Sequence, residues 1–159
     1  MVTRRAEAPA DQPFLLALFA KDRAEAFAPM NLPAPVLETL LRQQFDAQSL
    51  GYRAQFPAAL REIVEVDGVP IGRLISDRTS DRLRLVDIAL DPAWRGQRLG
   101  SVLIGRLMDE AREAGLPMAL KVACDNLRAT ALYARLGFAI IASNEVYQEM
   151  RWTPPGVIS

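Results

Sequence analysis

The chain has 159 residues, half of them hydrophobic, a length that suits one domain around one sizeable core and is short for two. Nineteen Lys and Arg offset nineteen Asp and Glu, so no net field draws the chain to nucleic acid or to an anionic membrane surface. Histidine is absent and Cys124 is the one cysteine, which excludes Ser-His-Asp and Cys-His nucleophile pairs, internal disulfides and zinc sites built on His or clustered Cys. No metal is expected. The longest apolar run, residues 14–20, falls far short of the roughly 20 residues that span a bilayer. Residues 1–10 contain no apolar signal core, so a cytoplasmic location is the expectation.

In chain order, Val2–Ala6 is a strand candidate, and Asp11 before Pro13 and the apolar set Phe14, Leu15, Leu18 and Phe19 marks a capped helix start that fades near Ala28. A proline-rich break at 31–35 precedes Leu37, Leu40, Leu41 and Phe45, whose three- and four-residue spacing predicts a second amphipathic helix to about Ser49. Residues 61–66 and 69–76 are β-branched runs joined by Asp67-Gly68, a dipeptide that supplies positive φ for a tight hairpin. A third strand follows at Leu83–Leu90. The period then changes. Leu99, Val102, Leu103, Leu107, Met108, Ala111 and Ala114 form one helical face stopped by Gly115. Met118, Leu120 and Val122 alternate as a strand, and Leu127, Ala131, Leu132 and Leu136 define a short helix closed by Gly137. Residues 138–142 and 146–152 complete a closing strand pair. A meander followed by a βαβ crossover implies an α/β (α+β) domain with a mixed, mostly antiparallel central sheet and helices on both faces.

The segment from Asp87 to Ser101 carries the chemistry. A strand ends at Asp91-Pro92 and a helix opens near Leu99, with Gly96 and Gly100 permitting close backbone approach and Arg95 and Arg98 supplying cationic donors. The free amides of a first helical turn favour an anion such as a diphosphate. Neither the P-loop spacing nor the dinucleotide fingerprint is present.

The sequence Arg95-Gly96-Gln97-Arg98-Leu99-Gly100 resembles the coenzyme-binding signature Gln/Arg-x-x-Gly-x-Gly/Ala of the GNAT superfamily of acetyl-CoA-dependent N-acetyltransferases, with Arg98 where the middle glycine usually stands. Asn126, Leu132-Tyr133 and Leu136-Gly137-Phe138 follow at the spacing typical of that family. The resemblance implies one GNAT-like domain over residues 1–159, acetyl-CoA as co-substrate, and acetyl transfer to a primary amine by direct attack in a ternary complex. It implies that Ile88, Ala89 and Leu90 pair with the pantetheine arm. Arg95, Gly96, Gln97, Arg98, Leu99, Gly100 and Ser101 would then cradle the pyrophosphate. Asn126 would bond the pantetheine or cap a helix. Tyr133 would touch the coenzyme and act as general acid toward the departing thiolate.

Asp87, a carboxylate in an otherwise apolar strand, is the candidate base or water-orienting group, with Glu145 and Glu149 behind it. Cys124, lacking a histidine partner, is expected to pack rather than carry an acyl group. Phe45, Gln48, Tyr52 and Phe56 fall in the family's variable substrate-side wall or in the core. The expected partners are acetyl-CoA and an amine acceptor, with no nucleic acid or membrane, in a possible homodimer. A catalytically silent acyl-CoA-binding sensor is the alternative reading.

Overall fold

The computed structural model describes residues 1–157. Its elements are β1 (Val2–Ala6), α1 (Gln12–Phe27), α2 (Ala34–Gln55), β2 (Leu60–Val66), β3 (Val69–Arg78), β4 (Leu83–Leu90), α3 (Leu99–Ala114), β5 (Met118–Ala123), α4 (Leu127–Arg135), β6 (Ala139–Ser143) and β7 (Tyr147–Trp152). The strands make one sheet in the order β1-β2-β3-β4-β5-β7-β6. The pairs β1–β2, β5–β7 and β6–β7 are antiparallel. Strands β4 and β5, joined through α3, are parallel, in register from Leu83↔Met118 to Leu85↔Leu120. A crossover helix is what a parallel neighbour requires. The backbone gathers into two compact groups, Met1–Ile75 with Ile88–Gln97, and Ser76–Asp87 with the chain from Arg98 onward.

In the first group, the hairpin turn forms as the sequence predicts, with Asp67 at φ 51° and Gly68 at φ 81°. Leu15 and Phe19 of α1, Phe45 of α2 and Ile63 of β2 form a buried cluster, with the Phe19 and Phe45 rings edge to face at 5.5 Å. Two expectations change here. Helix α2 starts at Ala34, inside the proline-rich break, because Pro35 suits the first helical turn, and it runs on through Gly51 to Gln55. Pro57, which has no N–H, follows the last turn.

Asp11 also departs from its expected cap role. Its carboxylate makes no bond to the α1 amides. Instead it takes a two-pronged contact from Arg5, 2.8 Å on each oxygen, and the Ala8 N–H at 2.7 Å. A guanidinium fork is a stronger partner for a carboxylate than a single amide.

In the second group, α3 buries Leu103, Ile104, Leu107, Met108 and Ala111 and leaves Val102 41 % exposed, so its inward face is rotated from the predicted one. Gly115 ends it at φ 68°. Helix α4 likewise turns in Tyr133, while Leu127 is 75 % exposed and Ala131 lies at the surface. Strand β6 is one edge of the sheet, exposed at every residue, with a bulge between Ile140 and Ala142.

Candidate functional site

Within the first group, β3 and the end of β4 meet with little room. A Cβ added at Gly72 would stand 2.4 Å from the Ala89 carbonyl oxygen and 2.7 Å from Leu90 Cδ2, so only glycine allows this approach. The Asp91 N–H donates to the Ile71 carbonyl at 2.7 Å, closing the strand end. Ile88, Ala89 and Leu90, the predicted pantetheine partners, are half-buried there. Gly72 was not singled out in the sequence, although a lone glycine inside a β-branched run is the usual sign of close backbone approach.

The loop after β4 is anchored by charge. Asp91 accepts from Lys21 Nζ at 2.8 Å and from the Ala93 N–H at 3.0 Å, contacts that hold its carboxyl below the usual range. Arg95 donates to Asp22 at 3.2 Å, so this predicted phosphate donor already has an acidic partner. Gly96 takes φ 81° and Gln97 is exposed.

In the second group, Arg98 adopts φ 61° and ψ 17°, a left-handed conformation that glycine occupies without strain, at the position where the family signature carries glycine. Arg98 is the cap residue of α3, and the Val102 N–H returns to its carbonyl at 3.0 Å. The amides of Leu99, Gly100 and Ser101 come before that first intrahelical bond and have no helical carbonyl to reach. Free amides at the positive end of a helix dipole are what favours an anion at such a terminus. Gly100 is helical, and a Cβ there would meet only Leu132 Cδ2 at 3.9 Å. Asn126 caps α4, its side chain accepting the Ala129 N–H at 3.2 Å.

Tyr133 is 7 % exposed, its ring tilted against Phe138 at 5.9 Å. Burial, with the negative charge of Asp87 second, pushes its phenol up to about 12. Tyr133 and Asp87 are therefore electrostatically coupled, and Asp87 is half-buried. Of the other carboxylates, Glu149 is gripped by Arg84 at 2.7 and 2.9 Å, which removes it as a ready base. Glu145 is exposed. Cys124 is half-buried with its thiol donating to the Asn144 carbonyl at 3.4 Å.

The first group also contains a cavity of about 300 Å³, lined by side chains of α2 and β3 among others. Phe45 and Tyr52 line it, and Gln48 accepts from Arg73 at 3.0 Å. Phe56 is buried and does not line it. Arg53, Arg61 and Arg73 face the same space, a cluster that the sequence scatters over 21 positions and that no local motif announces.

Order and sheet connectivity, with a parallel β4–β5 pair bridged by α3 inside an otherwise antiparallel set of described pairs, define a mixed α/β fold. Residues 23–138 match the Acetyltransferase (GNAT) family, and the chain belongs to that family. A 59-residue stretch is 41% identical to the ribosomal protein bS18-alanine N-acetyltransferase of Escherichia coli, spanning 36% of this chain and 40% of that protein. The chain thus matches well under half the length of that relative. Among solved structures, a PaiA N-acetyltransferase from Thermoplasma acidophilum in complex with coenzyme A superposes with TM-score 0.72 at 16% identity, covering 96% of this chain and 99% of that one. The Escherichia coli ribosomal-protein-S18-alanine N-acetyltransferase gives TM-score 0.62 at 22% identity over 100% and 96%. At these identities the likeness is one of fold.

Proposed function

We propose that this chain works as a single domain that transfers an acetyl group from acetyl-CoA to a primary amine by direct attack in a ternary complex. Family membership and relatives named for acting on nitrogen support the reading. The observation that carries it is the start of α3, where the signature loop ends in a left-handed Arg98 and three amides without helical partners. Those amides, with Gly96 and Gln97, suit the two charges of a pyrophosphate.

Ile88, Ala89 and Leu90 offer backbone groups to the pantetheine arm, and Asn126, after capping α4, keeps its amide N–H groups for the same arm. The amine nitrogen bonds to the acetyl carbon, the C–S bond breaks, and the proton lost from nitrogen balances the one gained by sulfur. Asp87 receives or relays the first. Tyr133 donates toward the sulfur. A phenol near 12 facing a thiol near 8.5 makes complete proton transfer uphill by roughly 5 kcal/mol, so Tyr133 stabilises the leaving thiolate chiefly as a hydrogen-bond donor and the thiolate takes its proton from solvent water as it departs. Proximity and this polarisation supply the acceleration. The cytoplasm is the proposed location and a homodimer the proposed assembly; a single-chain mass by light scattering overturns the latter.

The test is calorimetric titration with acetyl-CoA followed by amine-dependent thiol release. Binding with turnover that falls about 10²-fold in Tyr133→Phe supports the enzyme. Binding without turnover of any amine favours the acyl-CoA sensor, a reading to which the engagement of Glu149 by Arg84 lends weight.

A further inference from the structure

Two successive residues of α1 hold both ends of the turn that leaves β4. Lys21 Nζ meets Asp91 at 2.8 Å, and Arg95 Nη2 donates to Asp22 at 3.2 Å. All four residues lie in the first group, although 70 and 73 positions separate the partners in sequence. Between these anchors the backbone closes on itself: the Trp94 and Arg95 N–H groups return to the Asp91 and Pro92 carbonyls at 2.8 and 3.3 Å. The turn is therefore set by its own hydrogen bonds, and what Asp22 adds is a fixed place for the Arg95 side chain.

That contact is of a kind that contributes little to folding. The Asp22 and Arg95 side chains are 50 % and 42 % exposed, and one nitrogen of the guanidinium is used. Arginine carries five N–H donors in a rigid plane, so fixing one of them orients the others. Asp22 has a second cation beside it: its other oxygen lies 3.5 Å from Arg23 Nη1, and the Arg23 guanidinium sits 4.0 Å over the Phe19 ring. Two arginines thus flank one carboxylate, and an anion reaching Arg95 still meets a cationic group.

We propose that Asp22 is a positioning residue for the coenzyme: by holding Nη2 of Arg95, it turns the remaining edge of the guanidinium toward a phosphate of acetyl-CoA. The inference rests on the reading of residues 95–101 as the phosphate-binding stretch. It assigns to an acidic side chain a gain in affinity for an anion, the opposite of what its charge alone would give.

The experiment is calorimetric titration with acetyl-CoA of wild type, Asp22→Ala, Asp22→Asn, Arg95→Gln and the Asp22→Ala/Arg95→Gln double variant, at about 50 and about 300 mM NaCl, between which screening weakens exposed charge contacts. At the lower salt Asp22→Ala is expected to raise Kd about threefold, a change on the scale of one exposed ion pair. Arg95→Gln should raise it at least as much, and the double variant no further than Arg95→Gln, because Asp22 acts through Arg95. Asp22→Asn, which keeps an oxygen at that place, should recover part of the loss, and the gap between wild type and Asp22→Ala should narrow at the higher salt. Alanine is the better helix former, so Asp22→Ala should melt no earlier than wild type, which separates positioning from a loss of α1. Tighter binding by Asp22→Ala would mean that Asp22 competes with the phosphate, and it overturns the proposal. An unchanged Kd overturns it, as does a threefold loss that persists in the Arg95→Gln background. In each of those outcomes binding by the wild type leaves the coenzyme reading standing, whereas no binding by the wild type removes both.

Discussion

Two regions of this molecule are built by different means. The end of β4, the loop after it and the first residue before α3 are shaped by backbone, through Gly72, Gly96 at φ 81° and Arg98 at φ 61°. The cavity beside α2 is shaped by side chains, among them Arg53, Arg61 and Arg73 from one helix and two strands. Backbone sites depend on which residues tolerate a conformation, and those lie close together in sequence. Side-chain sites depend on what the fold brings together.

Substitutions can break this division. Gly72→Ala should cost about 3 kcal/mol in urea denaturation, because the new Cβ must displace the Ala89 carbonyl, and acetyl-CoA affinity should fall with it. Gly51→Ala, with nothing within 4 Å near the C-terminal end of α2, should instead stabilise by up to about 1 kcal/mol. If both act alike, the close approach at Gly72 does not shape the β4 end.

Asp11→Asn removes one arm of the Arg5 contact and should cost about 2 kcal/mol near neutral pH. The sign with pH follows from Arg5 and Ala8 holding this carboxyl down to about 2. A depressed folded value means that the contribution is present above about 3.9, the unfolded value, and is lost as pH falls toward 2. The variant's acid unfolding should therefore be flatter than the wild type's over that interval; identical curves would show that Arg5 and Asp11 are not coupled.

The smallest effect is at the signature itself. Arg98→Gly should relieve left-handed strain worth about 1 kcal/mol and raise Tm by about 2–4 °C. A lower Tm would show that the guanidinium contributes more than its backbone geometry costs. In the same assay as Tyr133→Phe, the wild-type kcat should show no alkaline fall below about pH 11, since the buried phenol keeps its proton to about 12.

The Asp67-Gly68 turn and the Gly115 stop were legible because each is written in a few adjacent residues. The inward face of α3 was legible at Leu103, Leu107, Met108 and Ala111 but not at its edge, and that of α4 was not. Ile104 and Tyr133 are buried while Val102 and Leu127 are exposed, since a face is chosen by what packs against it and several arcs of an apolar helix satisfy the same spacing. Asp11 misled for a related reason: its position said cap, and Arg5, distant in kind though near in sequence, offered more. The reach of α2 past Gly51 shows a single glycine outweighed by the turns on either side.

Strand β6 has a bearing on how copies of this chain behave in crowded solution. An edge with Ile140 50 % and Ile141 55 % exposed is the kind of template onto which a stray strand adds, beginning an aggregate. The irregularity between Ile140 and Ala142 interrupts that template midway, leaving too few consecutive, evenly aimed amides and carbonyls for an incoming chain to zip against.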